Sequence, residues 1–317
     1  MLTLMRLRFL LPLLLLATLP CFAADYQRCV IMREGVIYVQ PDTSSAKLSN
    51  ITRGHELTVL ERANKWAHVT ATVVEGGEFS SDRDVSGWML DQGIVCKDTP
   101  NGDQILFGEA VDSERQAENR GGRKGAADDA KRLYYRVSEY FPTSPLAGEA
   151  LYRAADIQWQ LDKEDSSTRR SSKNRDPRDR LPINEDLMRQ VEKKFPKTKW
   201  ADMAAFRRLD NKLCGDWNME AKCPEKEADM YEKYAAEHPD SPSTPEALYN
   251  AAWRWAALIQ IYPIDGKADK VGEAREHATA IAKQLLAKNA SSDWNARAQR
   301  LLYMVTNGVP TYGNNVQ

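Results

Sequence analysis

Residues 141–154 read FPTSPLAGEALYRA, residues 195–208 read FPKTKWADMAAFRR and residues 238–251 read HPDSPSTPEALYNA. The three align without a gap. Pro142, Pro196 and Pro239 share a column, and Ser144, Thr198 and Ser241 another; Ala150, Ala204 and Ala247 follow, then Tyr152, Phe206 and Tyr249. A proline stops a helix, and a hydroxyl side chain two residues later caps the next one. The phrase therefore reads as the turn of a helical hairpin, with small alanines where helices approach closely. Its recurrence predicts a stacked, all-α solenoid, an architecture that presents extended binding surfaces.

Working outward, each turn has apolar positions at helical spacing on both sides. Leu133, Val137 and Phe141 precede the first, and Ala147, Leu151, Ala154 and Gln158 follow it, flanked by Ala150 and Trp159. Leu187, Val191 and Phe195 repeat the pattern before Thr198. Met230, Tyr234 and His238 precede the third turn, and Leu248, Ala251, Trp255, Leu258 and Tyr262 follow it. A degenerate fourth unit has Ile281 and Leu285, a cap at Ser292, then Trp294, Ala298, Leu301 and Val305. This places about four hairpins in 125–310, with a polar linker over 98–124 before them, whose segment Glu109 to Gly125 has room for a lone helix that Gly121-Gly122 breaks, and a tail over 311–317. The aligned prolines are 54 and 43 residues apart, longer than the ~34 of a tetratricopeptide unit. The first excess is a basic insertion over 162–182 with Arg169, Arg170, Lys173, Arg175, Arg178 and Arg180. It reads as a mobile, solvated loop, with attraction of an anionic wall polymer as the alternative. The second excess holds Cys214 and Cys223.

The N-terminal residues predict export. Arg6 and Arg8 precede an apolar run from Phe9, and Cys21-Phe22-Ala23 supplies small residues for cleavage, so 1–23 reads as a signal peptide. The rival, a lipid anchor at Cys21, wants small residues before the cysteine, where Leu19-Pro20 stand. Cleavage takes the formal charge from −1 to −3, which provides no drive toward nucleic acid. Cys29, Cys96, Cys214 and Cys223 then remain, an even number that suggests disulfides in an exported chain. Of three possible pairings, Cys29 with Cys96 and Cys214 with Cys223 keeps each bond within one domain. A zinc site is the alternative, but no C-x-x-C spacing exists and no histidine lies near. No transmembrane segment, metal site or cofactor is expected.

Residues 24–97 alternate short β-rich runs with turns: Val36–Val39, Glu56–Leu60, Trp66–Val74, Gly87–Leu90 and Ile94–Cys96. The spacing predicts a small all-β barrel or sandwich, short enough to need a disulfide. The whole chain is thus expected to have two domains, one all-β and one all-α.

The β-rich segment resembles the bacterial SH3 family. The resemblance rests on Val36 to Pro41, Gly54 to Leu60, Trp66 to Val69 and Gly87-Trp88, in that order. Tyr38-Val39-Gln40 replaces the family's usual Asn-Val-Arg, and the stretch Glu75 to Ser86 is longer than a simple hairpin turn. The resemblance implies an SH3-like barrel and a module that binds cell-wall peptides or targets its carrier. The phrase at 140–152 resembles the tetratricopeptide-type repeats of bacterial envelope proteins, among them outer-membrane assembly lipoproteins and the Tol–Pal coordinator family. That resemblance covers roughly 125–305 and implies a scaffold.

The candidate binding residues are Tyr38, Trp66 and Trp88 in the barrel and Tyr152, Trp159, Tyr249, Trp253 and Trp255 in the repeats. Each has a plain alternative as a core aromatic. No phosphate-binding glycine loop, His-Glu-x-x-His or Gly-x-Ser-x-Gly is present. The expected function is a non-catalytic periplasmic or secreted adaptor that holds an envelope protein partner through its repeats. Its barrel would contact peptidoglycan or a second protein. The alternative is a cell-wall glycan- or peptide-processing enzyme, or its regulatory subunit, using a carboxylate as acid or base.

Overall fold

A computed structural model describes residues 26–75, 81–174, 176–288 and 293–313. The signal-peptide expectation over 1–23, the glycine pair Gly76-Gly77, Arg175, the Ser292 cap and residues 314–317 lie outside them. The described chain is a seven-stranded antiparallel sheet followed by helices. The strands are β1 (Gln27–Ile31), β2 (Gly35–Tyr38), β3 (Lys47–Ile51), β4 (Glu56–Ala63), β5 (Trp66–Glu75), β6 (Ser81–Leu90) and β7 (Ile94–Cys96), in the order β3-β2-β6-β5-β4-β1-β7.

Period-two alternation decides which face is buried. Ile37, Leu57, Val59, Ala67, Val69, Val85 and Met89 join Cys29, Ile31, Ile51 and Cys96 in one cluster drawn from all seven strands. β5 and β6 pair in register from Trp66 opposite Leu90 to Glu75 opposite Ser81. Within the stretch Glu75 to Ser86, longer than a simple hairpin turn, Ser81 to Ser86 is strand. In β6, apolar Val85 and Met89 face inward while Asp82, Asp84 and Ser86 are exposed. Gly87 is required by close approach: a Cβ there would lie 2.5 Å from the Tyr38 carbonyl oxygen. Cys29 lies directly opposite Cys96 in the β1–β7 ladder and is bonded to it.

The helices are α1 (Gly102–Glu118), α2 (Ala126–Tyr140), α3 (Ala147–Ser167), α4 (Asp186–Lys194), α5 (Lys199–Arg207), α6 (Lys222–Glu237), α7 (Thr244–Ile264), α8 (Val271–Lys288) and α9 (Asp293–Thr306). The repeated phrase forms the turns α2–α3, α4–α5 and α6–α7. Phe141, Phe195 and His238 end the first helix of each pair with nearly the same backbone, φ/ψ of −124/57°, −127/53° and −127/59°. Ala150, Ala204 and Ala247 are all fully buried. Thr198 caps α5 by accepting from the Ala201 N–H at 3.3 Å. Ser144 acts earlier than expected: its hydroxyl accepts from the Leu146 N–H at 3.1 Å, and α3 begins only at Ala147.

Three segments differ from their sequence reading. The linker over 98–124 contains α1, which buries Leu106 and Ala110 against Ala130, Leu133, Tyr134 and Val137 of α2. Val30 and Val95 of the sheet enter the same cluster, so sheet and helices share a core rather than hang on a connector. A lone helix is legible in this polar segment, but its packing on α2 is not, and Ile105 on another face stays exposed. The insertion over 162–182 is shorter than its sequence suggests, because α3 runs to Ser167 and two 3-10 turns follow at Arg170–Lys173 and Pro177–Asp179. Its far end is pinned where Asn211 exchanges hydrogen bonds with the Ile183 backbone at 3.0 and 2.9 Å. In the segment read as a tail, Thr311 is buried, because its backbone and hydroxyl both bond to α7.

At the junction, Arg132 of α2 donates to the Arg53 carbonyl at 3.0 Å. Gly54 has φ +71°, and a Cβ on it would lie 2.8 Å from the Cβ of Arg132 and 2.9 Å from the Leu133 nitrogen. Tyr140 Oη lies 2.8 Å from Glu56 Oε2 of β4. Arg28 and Arg136 reach the same carboxylate at 2.6 and 3.1 Å.

Candidate functional site

Aromatic side chains gather in two strips, one on the sheet and one on the helices. On the sheet, the strip follows from pairing. Tyr38 lies opposite Trp88 in the β2–β6 ladder, and Trp88 lies opposite His68 in the β5–β6 ladder. All three point away from the sheet core. The His68 and Trp88 rings stack at 4.9 Å, and Tyr38 meets Trp66 edge-on at 5.9 Å. Tyr38 and Trp88 are half-exposed, whereas Trp66 is buried and serves as their support. A polar ladder continues the strip: Thr70 bonds to Ser86 at 3.2 Å and Thr72 to Asp84 at 2.7 Å.

The helical strip is built on α7. Tyr249 and Trp253 stand four residues apart, on one face of the helix, and both are half-exposed. Tyr249 meets Trp294 of α9 at 5.5 Å, with Arg297 over the Trp294 ring at 4.6 Å. Trp253 meets Trp217 at 5.1 Å, and Trp217 meets Tyr312 at 4.9 Å. Two ring clusters, Tyr249–Trp294 and Trp253–Trp217–Tyr312, thus gather on α7 from four parts of the chain, with Trp217 buried beneath Trp253 and Tyr312 as their support. Sequence reading found Tyr249 and Trp253. It listed Trp294 only among the positions of the last helix and did not single out Trp217 or Tyr312, which enter only because the loop before α6 and the segment after α9 fold back onto α7.

The other three helical candidates lie in the core. Trp159 is 1% exposed. Tyr152 is buried against Trp200 at 5.6 Å. Trp255 is buried, donates to Glu232 at 2.6 Å and stacks on His277 at 4.5 Å. Their positions coincide with the buried stripes of α3 and α7, which leaves them no surface to offer a partner.

The floor of the strip is a buried charge pair. Arg254 Nε donates to Glu227 at 2.8 Å, with both side chains nearly inaccessible. Glu227 also accepts from the Cys214 N–H at 2.7 Å and from the Trp217 indole at 3.4 Å. The Arg254 guanidinium lies over Tyr231 at 4.5 Å, and burial pushes that phenol up to about 12. The Cys214–Cys223 bond closes the same loop, so backbone, disulfide and ion pair all hold Trp217 in place. Glu246, one turn before Tyr249, has its carboxyl pKa raised by burial and by the charge of Asp210, opposed by Arg207 and Arg297.

Clefts flank this region. One of about 570 Å³ lies between Asp216, Asn218, Met219, Trp253 and the Thr311–Gly313 segment. A second, about 750 Å³, runs along the disulfide between Asn174, Arg178, Lys222 and Lys226. Among the described residues no group of three or more histidine, cysteine or acidic side chains is placed to hold a metal, and no helix is long and apolar enough to cross a membrane. No protein-family model matches this chain, and no curated protein matches it significantly.

Proposed function

We propose that the chain is a non-catalytic adaptor of the bacterial cell envelope. Its helices would form a tetratricopeptide-like solenoid that holds a protein segment along the α7 strip. The sheet would be an SH3-like barrel that offers Tyr38 and Trp88 to peptidoglycan or to a second protein. The observation that carries this reading is the helical strip: half-exposed Tyr249, Trp253, Trp294 and Tyr312 over a floor that includes buried Trp217, presented by hairpins whose turns share one backbone conformation. Rigid aromatic side chains give large contact area at low entropic cost. Two disulfides suit an oxidising compartment, and hence export to the periplasm or beyond.

The test uses the full chain, because severing sheet from helices would expose their shared core. Mature protein is offered to purified peptidoglycan in a sedimentation assay and to an envelope extract in a pulldown. Trp88→Ala should abolish sedimentation while sparing protein capture, and Trp253→Ala should do the reverse. Loss of both activities in both variants, or of neither in either, would sink the two-surface adaptor.

The rival reading is a wall-processing enzyme, favoured by the raised carboxyl of Glu246. Release of soluble muropeptides that Glu246→Gln eliminates would establish it in place of the adaptor.

A further inference from the structure

Beyond Thr306 the chain turns back. Gly308 has φ +66° and the Val309 N–H bonds to the Met304 carbonyl at 2.9 Å, which ends α9 and directs Pro310–Gly313 across α7. Thr311 is 5% exposed, and its N–H and Oγ1 both donate to Gln260 Oε1, at 3.2 and 2.9 Å. The Tyr312 ring lies against Trp217 at 4.9 Å and its hydroxyl donates to Asp216 Oδ1 at 3.3 Å. The segment is thus read as a peptide is read in a groove: a backbone N–H, a side-chain hydroxyl and an aromatic ring each have a partner. It leaves the groove partly unfilled, with about 570 Å³ open between it, Asp216, Met219 and Trp253.

The groove wall is held out of ordinary geometry. Asn218 and Met219 are consecutive non-glycine residues at φ 49° and 60°, a strained pairing of the kind that clusters at binding sites. Gly313 has φ +103°, and a Cβ there would lie 3.2 Å from Met219 Cε.

We propose that this groove docks an extended peptide in which a hydroxyl residue precedes an aromatic one, and that Pro310–Gly313 occupies it as an internal competitor. The proposal rests on the adaptor reading and names its partner chemistry. A tethered segment acts at an effective concentration in the millimolar range. A weak internal contact therefore holds the groove, and a partner binds only by displacing it, with apparent affinity reduced by the fraction open.

The probe is a fluorescent peptide of sequence Val-Pro-Thr-Tyr-Gly, the chain's own residues 309–313, followed by anisotropy against the full chain. Thr311→Ala with Tyr312→Ala should release the groove and tighten peptide binding by about tenfold or more over the unaltered chain. Tyr312→Ala alone, which keeps the Gln260 contacts, should give an intermediate gain and guards against misfolding of the double variant. Adding Gln260→Ala to the released chain should remove binding, as should alanine in place of the peptide's tyrosine. No binding by either released chain at millimolar peptide overturns the proposal, as does equal binding by released and unaltered chains. Tighter binding of a chito-oligosaccharide than of the peptide would overturn it too, making the strip a glycan surface. The adaptor reading fails separately: an envelope protein captured equally by released and unaltered chains keeps the adaptor and removes the competitor. Peptide gating without any envelope partner does the opposite.

Discussion

Trp159 fills the core between α3 and α4, yet its indole N–H finds no hydrogen-bond partner among the described residues. A buried donor left unpaired costs about 1–3 kcal/mol. Trp159→Phe removes that donor along with some packing, so it should change stability by less than about 1 kcal/mol, whereas Trp159→Ala should cost about 3–5 kcal/mol. Urea unfolding of the two variants checks the contrast. Glu227 is the opposite case, a buried carboxylate with three donors. Glu227→Ala strands the Arg254 charge in the core and should cost about 3–5 kcal/mol. Replacing both partners with leucine removes the stranded charge but still leaves the Cys214 N–H and the Trp217 indole without their acceptor, so it should cost less than Glu227→Ala without being neutral, which a double-mutant cycle would read directly.

Among elements, the alanine column sets how closely helix pairs can approach. Ala247 is fully buried in the helical core, so Ala247→Leu should destabilise by about 1–3 kcal/mol through overpacking, with Ala150→Leu behaving alike in thermal melts. The two disulfides should differ by loop length. Cys29–Cys96 spans 67 residues and Cys214–Cys223 spans 9, which on loop-closure entropy are worth about 4 and somewhat under 3 kcal/mol. Paired serine substitutions measured by denaturant midpoint should follow that order. Loss of the shorter bond should also loosen Trp217, visible as a change in tryptophan fluorescence before global unfolding.

For the whole molecule, the junction makes sheet and helices one unit. Glu56 anchors it. Burial would raise its pKa, but hydrogen bonds from Arg28 and Tyr140 and the charge of Arg136 outweigh this and hold it below the usual carboxylate range. A group depressed in the folded state stabilises fully above its unfolded pKa, about 4.3, and loses that contribution as pH falls through the folded value. The stability advantage of the unaltered chain over Glu56→Gln should therefore be constant near neutrality and shrink below about pH 4–5. Urea titrations between pH 7 and 3 test it, and an advantage that grew on acidification would contradict the assignment. Because Val30 and Val95 share a core with α1 and α2, unfolding at neutral pH should be a single transition by both far-UV circular dichroism and fluorescence.

The three gapless phrases were enough to place the helix turns and the buried alanines, because proline geometry and helical period act within a few residues. The same held for the strand runs between turns, though not for which face of each is inward, and for the cysteine pairs, where an even count and domain spacing favoured the pairing that the structure contains. What stayed hidden depends on residues distant in sequence. A lone helix was legible before Gly121-Gly122, but only the packing of α1 on α2, Val30 and Val95 makes it part of the core. Tyr249 and Trp253 were candidates on the same footing as Trp159 and Trp255 along the chain, each an aromatic in or beside a helical apolar stripe. Exposure separates them, and exposure is decided by which neighbour covers which ring. Trp217, Gln260 and Tyr312 became one groove only when the loop before α6 and the segment after α9 closed on α7, a meeting that no local pattern encodes.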